Sequence, residues 1–133
     1  MPEMTAVQTA LENEQRQYDA QLKIFQDDYN RKFADLQAQQ DTLTENIKIL
    51  RMQEIEEIRT KYENFVPVAQ QAMQKKQEDL IAPIREKVQK AIQDVGTENG
   101  YTYILPNDPS IILYSGPTAI DATDKVKAKL GIK

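Results

Sequence analysis

The sequence predicts a mainly α-helical protein with a small β part, in which a long antiparallel helical hairpin is followed by a short β-hairpin and a C-terminal helix. Three observations predict this fold class. All four glycines stand at residue 96 or later, apolar side chains recur at helical spacing before that point, and β-forming and turn-forming residues follow it. We therefore expect a helical hairpin over residues 3–95 and an oligomerisation body over residues 96–133.

The first helix is predicted by two interleaved series of apolar residues, each with a spacing of seven. Such series are typical of the a and d positions of a coiled coil. Lys32 occupies an a-type position, which predicts a looser seam toward the end of this helix. The two series are Met4, Leu11, Tyr18 and Phe25, and Leu22, Tyr29, Leu36 and Leu43.

A chain reversal is predicted at a tip near residues 42–45, where Thr42-Leu43-Thr44-Glu45 has the pattern of a capping box. Thr44 is an alternative N-cap for the second helix. Because both helices rise equally per residue, facing residues should have numbers that add up to about 87. This relation places Phe65 opposite Leu22.

The second helix is predicted to run to Val95 and contains two prolines, Pro67 and Pro83. Proline in a helix interior lacks the N–H donor and crowds the carbonyl four residues earlier. No glycine or capping residue accompanies either proline, so we expect a kink at each. The alternative is that one of them ends a helix.

The last segment begins with Gly96 and Asn99-Gly100, which are predicted to form a helix C-cap followed by a turn. Residues 101–105 and 111–114 are predicted to form a β-hairpin, and Asp121 or Thr123 is predicted to cap a helix from about residue 122 to Leu130, closed by Gly131. These 38 residues are too few to fold alone without a disulfide or metal. We therefore predict oligomerisation through Tyr101, Tyr103, Leu105, Ile111, Leu113 and Tyr114.

Composition excludes several function classes. The chain has no cysteine and no histidine, which removes thiol nucleophiles, Cys/His zinc sites and imidazole acid–base chemistry. It has no Gly-x-x-x-x-Gly-Lys loop for a nucleotide. The net charge of −4 disfavours nucleic acid and anionic membranes as partners. We predict no enzymatic activity, no catalytic residue, no cofactor and no metal.

Several short stretches follow one another in a characteristic order along nearly the whole chain. They are residues 1–4, 80–84, 90–92, 98–105, 112–115, 121–126 and 129–131. The most specific are the Asn-Gly-Tyr strand, the Leu-Tyr-Ser strand and the Asp-x-Thr-Asp-x-Val helix, whereas the Gln-rich hairpin is less specific. In this order the stretches resemble the Skp (OmpH-like) family of periplasmic chaperones.

The resemblance implies a jellyfish-shaped homotrimer in the periplasm. Strands from three subunits would form a central body, and three helical hairpins would act as tentacles around a cavity that holds unfolded outer-membrane proteins without ATP. The family usually begins with a secretion signal and a short β-strand, and this sequence starts after both, so we expect a longer natural protein. Because the isoelectric point is near 4.9, we do not expect this chain to bind lipopolysaccharide or membranes.

An unfolded protein that the chain holds, its client, is expected to contact apolar side chains outside the seam. Phe33 is the strongest candidate because it adjoins Lys32 and would lie at the edge of the seam. Peripheral packing of the hairpin is the alternative role for each. A structural coiled-coil adaptor without chaperone activity is the alternative function. A prefoldin-like cytosolic chaperone is disfavoured, since its strands would lie between the helices. The candidates are Ile24, Phe33, Ile49, Met52, Val66 and Val68.

Overall fold

The computed structural model describes residues 1–132 and contains three helices: α1 (Pro2–Ala38), α2 (Glu45–Asn99) and α3 (Thr123–Lys129). No strand occurs in this range. None of its helices is both long enough and apolar enough to cross a membrane. The chain divides into two compact units, an arm unit (Thr5–Glu78) and a base unit (Met1–Met4 with Asp79–Lys133).

The arm unit contains the reversal between α1 and α2, and Thr44 is the N-cap of α2. The Ile47 N–H donates to the Thr44 Oγ1 at 3.4 Å, which satisfies one of the unpaired amides of the first turn. The Thr42 hydroxyl instead donates to the Gln39 carbonyl at 3.1 Å. The alternative cap is therefore confirmed, and the capping box centred on Thr42 is wrong.

The two helices of the arm unit run antiparallel, in agreement with the predicted hairpin. The ring of Phe65 packs edge-on against Tyr18, at 5.9 Å between centroids, and against Phe25, at 5.7 Å. It thus sits between two seam residues seven apart, opposite the position of Leu22 as predicted. Lys32, whose number and that of its partner add up to 86, pairs with Glu54 at 3.0 Å.

Burial in the arm unit follows this seam. Val7, Ile55, Ile58 and Ala69 are its buried apolar residues. Lys32, predicted to loosen the seam, keeps its charge at the surface through the ion pair with Glu54. Aliphatic burial and aromatic edge contacts therefore hold the hairpin together, and ion pairs flank it.

Helix α2 continues through Pro67 and Pro83, so neither proline ends it. It also continues beyond the predicted end at Val95 and stops at Asn99. Gly96 is accommodated within the helix, where a Cβ would lie 3.5 Å from the Ile104 Cδ1. The predicted kinks at the prolines stay predictions.

The ends of α2 and α3 share one capping geometry. Gly100 has φ +66°, the Tyr101 N–H donates to the Gly96 carbonyl at 2.9 Å and the Gly100 N–H donates to the Thr97 carbonyl at 3.3 Å. This pair of bonds is a Schellman motif. Gly131, with φ +69°, closes α3 in the same way, as predicted.

The predicted β-hairpin of residues 101–105 and 111–114 is not present in the described chain. The Asp108 carbonyl accepts the N–H groups of Ile111 at 2.9 Å and Ile112 at 2.8 Å, so a local turn uses two amides that a ladder would need. The Asp108 carboxylate also accepts the Ser110 N–H at 2.8 Å. Two isolated strands are marginally stable in water, and this turn outcompetes them.

In the base unit, α3 is held against the end of α2 by polar contacts. The Lys125 Nζ donates to the Asn99 Oδ1 at 2.5 Å and to the Tyr101 hydroxyl at 2.8 Å. Lys129 pairs with Glu98. At its N-terminus, α3 has Ala122 in the N-cap position and no side-chain capping bond, so the predicted cap by Asp121 or Thr123 is wrong. The Asp121 Oδ1 accepts the Thr123 N–H at 2.9 Å from one position earlier. Hydrogen bonds with Thr123, first through its side chain and then through its backbone, lower the pKa of Asp121.

Candidate functional site

The apolar residues predicted to contact a client are mostly exposed on the arm unit. Met52 and Val68 are each 61% exposed, and Phe33 is 43% exposed. Val66 is half-buried. A soluble helix normally turns such side chains toward its core, so their exposure leaves apolar surface available for binding. Ile24 and Ile49 are also exposed.

Phe33 lies at the edge of the seam and is supported by a neighbouring ring. It stacks on Tyr29, one helical turn earlier, with 6.1 Å between centroids and 5° between ring planes. The next residue before it, Lys32, is tied to Glu54. Phe33 therefore packs one ring face toward Tyr29 while part of its surface stays exposed to solvent.

The remaining candidates are distributed along α2. Ile49 and Met52 are three residues apart, which places them on one face of the helix. Val66 and Val68 are two residues apart and point in different directions: Val66 lines a groove, whereas Val68 is exposed. The six candidates thus offer several small apolar contacts.

The groove lies between α1 and α2 within the arm unit and has a volume of about 560 Å³. Its floor is the buried Ala69, and half-buried apolar side chains form its walls. Of its lining residues, only Val66 is among those predicted from the sequence to contact a client. The available signal was the absence of charge from residues 64–74. The lining residues are Gln15, Tyr18, Leu22, Val66, Ala69, Gln70, Met73 and Gln74.

A polar network stands beside the groove. The Tyr18 hydroxyl donates to the Glu14 Oε1 at 2.9 Å, and the Lys76 Nζ lies 3.3 Å from the Glu14 Oε2. These two partners, the tyrosine first, lower the pKa of Glu14, and the bond to Glu14 raises the pKa of Tyr18. Glu14 therefore stays ionised at neutral pH and links α1 to α2.

The residues predicted to mediate oligomerisation are on the base unit, and most of their side chains are exposed to solvent. Leu113 is 95% exposed, Tyr114 83% and Tyr103 81%. Tyr101 differs, because it is half-buried and the Lys125 ammonium lies 5.2 Å from its ring centroid. Leu105 and Ile111 are exposed.

Chemically, these surfaces are suited to binding. Hydrogen bonds lower the pKa of several carboxyl groups within residues 1–132, as the bonds from Ser110 do for Asp108. No group of three or more potential metal ligands is assembled among residues 1–132. The fold defines the class of helical-hairpin proteins, with apolar side chains exposed on both units.

The family model of outer membrane protein (OmpH-like) matches residues 1–130, and the chain belongs to this family. This confirms the resemblance drawn from the sequence motifs. The family is one of periplasmic chaperones of outer-membrane proteins and is not enzymatic. No curated protein and no solved structure matches the chain.

Proposed function

We propose that this chain is an ATP-independent holdase chaperone that binds unfolded outer-membrane proteins in the periplasm. The observation that carries the proposal is its membership of the OmpH-like family over residues 1–130. The exposed apolar side chains of the arm unit support it, since an unfolded client is recognised by burial of apolar surface. The alternative is a structural coiled-coil adaptor without chaperone activity, and the experiment must distinguish it from a holdase.

Client retention rests on many weak contacts. Phe33, Met52 and Val68 are each partly exposed, so each offers a modest apolar area to a client. Several such contacts on one tethered chain raise the effective concentration of the next contact. A client is then held as a whole while individual segments exchange, and release requires no nucleotide.

Assembly would use the exposed tail of the base unit. We propose a homotrimer in which Tyr103, Leu105, Ile111, Leu113 and Tyr114, with Tyr101 at their edge, form strands that pair with those of other copies. The exposure of Leu113 and Tyr114 supports this, since soluble monomers rarely leave a contiguous apolar patch uncovered. An acidic chain of net charge −4 is not expected to bind nucleic acid or lipopolysaccharide.

The proposal is tested by diluting a urea-unfolded outer-membrane barrel into buffer with the chain and following its aggregation by light scattering. The holdase suppresses scattering at one trimer per client, without ATP. An unfolded soluble protein of similar length serves as a second client. If scattering is unchanged when the chain has a trimeric mass, the chain is an adaptor and the holdase proposal fails.

Phe33→Ser tests the candidate contact surface. Losing an exposed aromatic of this kind weakens client retention by roughly fivefold, the equivalent of about 1 kcal/mol. Ala34→Ser, at the next exposed position, is the matched control and leaves retention unchanged. Light-scattering mass is measured in parallel, because a loss of the oligomer in Phe33→Ser would identify Phe33 as structural instead.

A further inference from the structure

The groove of the arm unit forms at Ala69, because this small side chain leaves space between α1 and α2. The neighbouring apolar positions of α2 carry the larger Phe65 and Met73, and Ala69 is the buried residue between them. The Tyr18 ring lies against Phe65 and so does not fill the space above Ala69. A vacancy bounded by apolar walls remains.

The groove coincides with the longest run without charge in either long helix. Residues 64–74 contain none of the 38 charged residues of the chain. Pro67 lies in this run and supplies no N–H to the carbonyl of Glu63. An uncharged groove disfavours a charged ligand, because an ion would lose hydration there without gaining an opposite charge.

Glutamine amides form the rim. Gln70 and Gln74, four residues apart on one face of α2, are exposed. Gln15 lies on α1 and donates to the Asp19 Oδ1 at 2.8 Å, which leaves its amide oxygen as an acceptor. Each amide has both donor and acceptor capacity, so it matches the N–H and C=O groups of any extended backbone regardless of sequence.

We propose that this groove binds a short, uncharged, extended segment of an unfolded polypeptide in which apolar and polar residues alternate. Apolar side chains of the segment contact Leu22, Val66 and Met73, and its backbone pairs with the glutamine rim. The uncharged run covers about 16 Å of helix, the length of about five extended residues. Strands of outer-membrane barrels have this alternation, so the inference rests on the proposed function and adds the place and chemistry of recognition.

A matched pair of substitutions tests the charge requirement. Gln70→Glu puts a carboxylate on the groove rim. Gln71→Glu makes the same isosteric change one residue later, about 100° around the helix, at an exposed position that does not line the groove. Binding is measured by fluorescence anisotropy with a labelled neutral peptide of alternating Val and Thr, and with the same peptide carrying a central Asp.

The full chain is expected to bind the neutral peptide about tenfold more tightly than the Asp peptide, because the groove cannot solvate the carboxylate. Gln70→Glu weakens binding of the neutral peptide about fivefold or more, because a carboxylate lacks the N–H donors with which the amide pairs with the peptide backbone. Gln71→Glu changes binding of this peptide less than twofold, because position 71 does not line the groove. Equal effects of the two substitutions, no preference between the peptides, or no binding would each overturn the inference.

A second measurement separates this inference from the holdase proposal. The chain contains no cysteine, so Met73→Cys and Gln71→Cys each provide a single thiol, the first in the groove and the second at an exposed position outside it that is not a candidate contact residue. An unfolded barrel should slow alkylation of the thiol at position 73 several-fold more than at position 71. If the chain suppresses aggregation while both thiols are alkylated alike, the groove is not the binding place and the holdase proposal stands. If aggregation is not suppressed, the holdase proposal fails, and the peptide measurement still decides the groove.

Discussion

The arm unit and the base unit use their apolar residues in opposite ways. In the arm unit, Ile55, Ile58 and Ala69 are buried between two helices of the same chain, and Phe65 bridges two facing rings. In the base unit, Ala91 and Val95 are buried, but Leu113 and Tyr114 are left almost fully in water. The helical hairpin buries its apolar residues within one chain, whereas the tail leaves apolar residues for the other copies that we propose.

The strongest test of this difference is a charge in the exposed tail. Leu113→Asp is expected to lower the solution mass threefold, from trimer to monomer, because an unpaired carboxylate would be buried in the proposed interface. Mass is measured by light scattering coupled to size exclusion.

Thr118→Asp adds the same charge at an exposed position outside the predicted strands and keeps the trimeric mass. If the Leu113→Asp variant still has a trimeric mass, the tail does not need a second copy. The contrast drawn between the arm unit and the base unit would then fail. Helical circular dichroism of both variants confirms that the helices are retained.

The second test removes the ring that bridges α1 and α2 in the arm unit. Phe65→Ala is expected to lower the free energy of unfolding by about 3 kcal/mol, the low end for phenylalanine because Phe65 is only half-buried. Urea denaturation followed by circular dichroism gives the value. Tyr62→Ala, at a more exposed position of α2, should cost clearly less. Equal losses would mean that the edge contacts of Phe65 with Tyr18 and Phe25 add nothing.

The third test replaces each of two glycines of the base unit by alanine and predicts changes of opposite sign in the free energy of unfolding. Gly100→Ala forces a side chain into positive φ and is expected to destabilise by about 1 kcal/mol. Gly96→Ala lies inside α2 with ordinary van der Waals space toward Ile104 and is expected to stabilise by up to about 1 kcal/mol through helix propensity. Thermal melts of the two variants measure both effects, and the same sign for both would contradict the capping argument.

The smallest effect is a pH dependence of the arm unit. Bonds from Tyr18 and Lys76 lower the pKa of Glu14, and the bond from Lys32 lowers that of Glu54. A carboxylate with a lowered folded pKa contributes stability above its unfolded value, near 4.5, and loses it as the pH falls through the folded pKa.

Melting temperatures should therefore fall when the pH is lowered from 6 to 3. The double variant Glu14→Gln and Glu54→Gln should show a smaller fall, because it no longer carries these two titrating groups. The same slope in both chains would show that the two interhelical ion pairs do not contribute to the pH dependence.

Local chemistry made the helices, the chain reversal and two of the caps predictable. Seven-residue spacing located the seam, and Thr44 and Gly131 were recognisable as capping residues because their interactions lie within one turn. The end of α2 was placed too early because glycine was treated as a stop. Gly96 tolerates the helix, and only Gly100 adopts the positive φ that ends it.

The β-hairpin was predicted from propensity, and its absence from residues 101–114 could not be foreseen in this way. Residues 101–105 and 111–114 have β-forming side chains, but strand pairing is a long-range property, and the turn at Asp108 captures the amides of Ile111 and Ile112. The groove was missed for a related reason. It results from one small residue, Ala69, between larger neighbours, and a hydrophobic pattern does not encode such a difference in volume.

The Schellman motif at Gly100 also bears on the entropy of assembly. Two backbone bonds at Tyr101 and Gly100, together with the contacts of Lys125, fix the direction in which the tail leaves α2. The first residues of the tail are therefore preorganised in the single chain. If copies associate there as we propose, fewer backbone torsions remain to be frozen, which would favour that association without adding a contact.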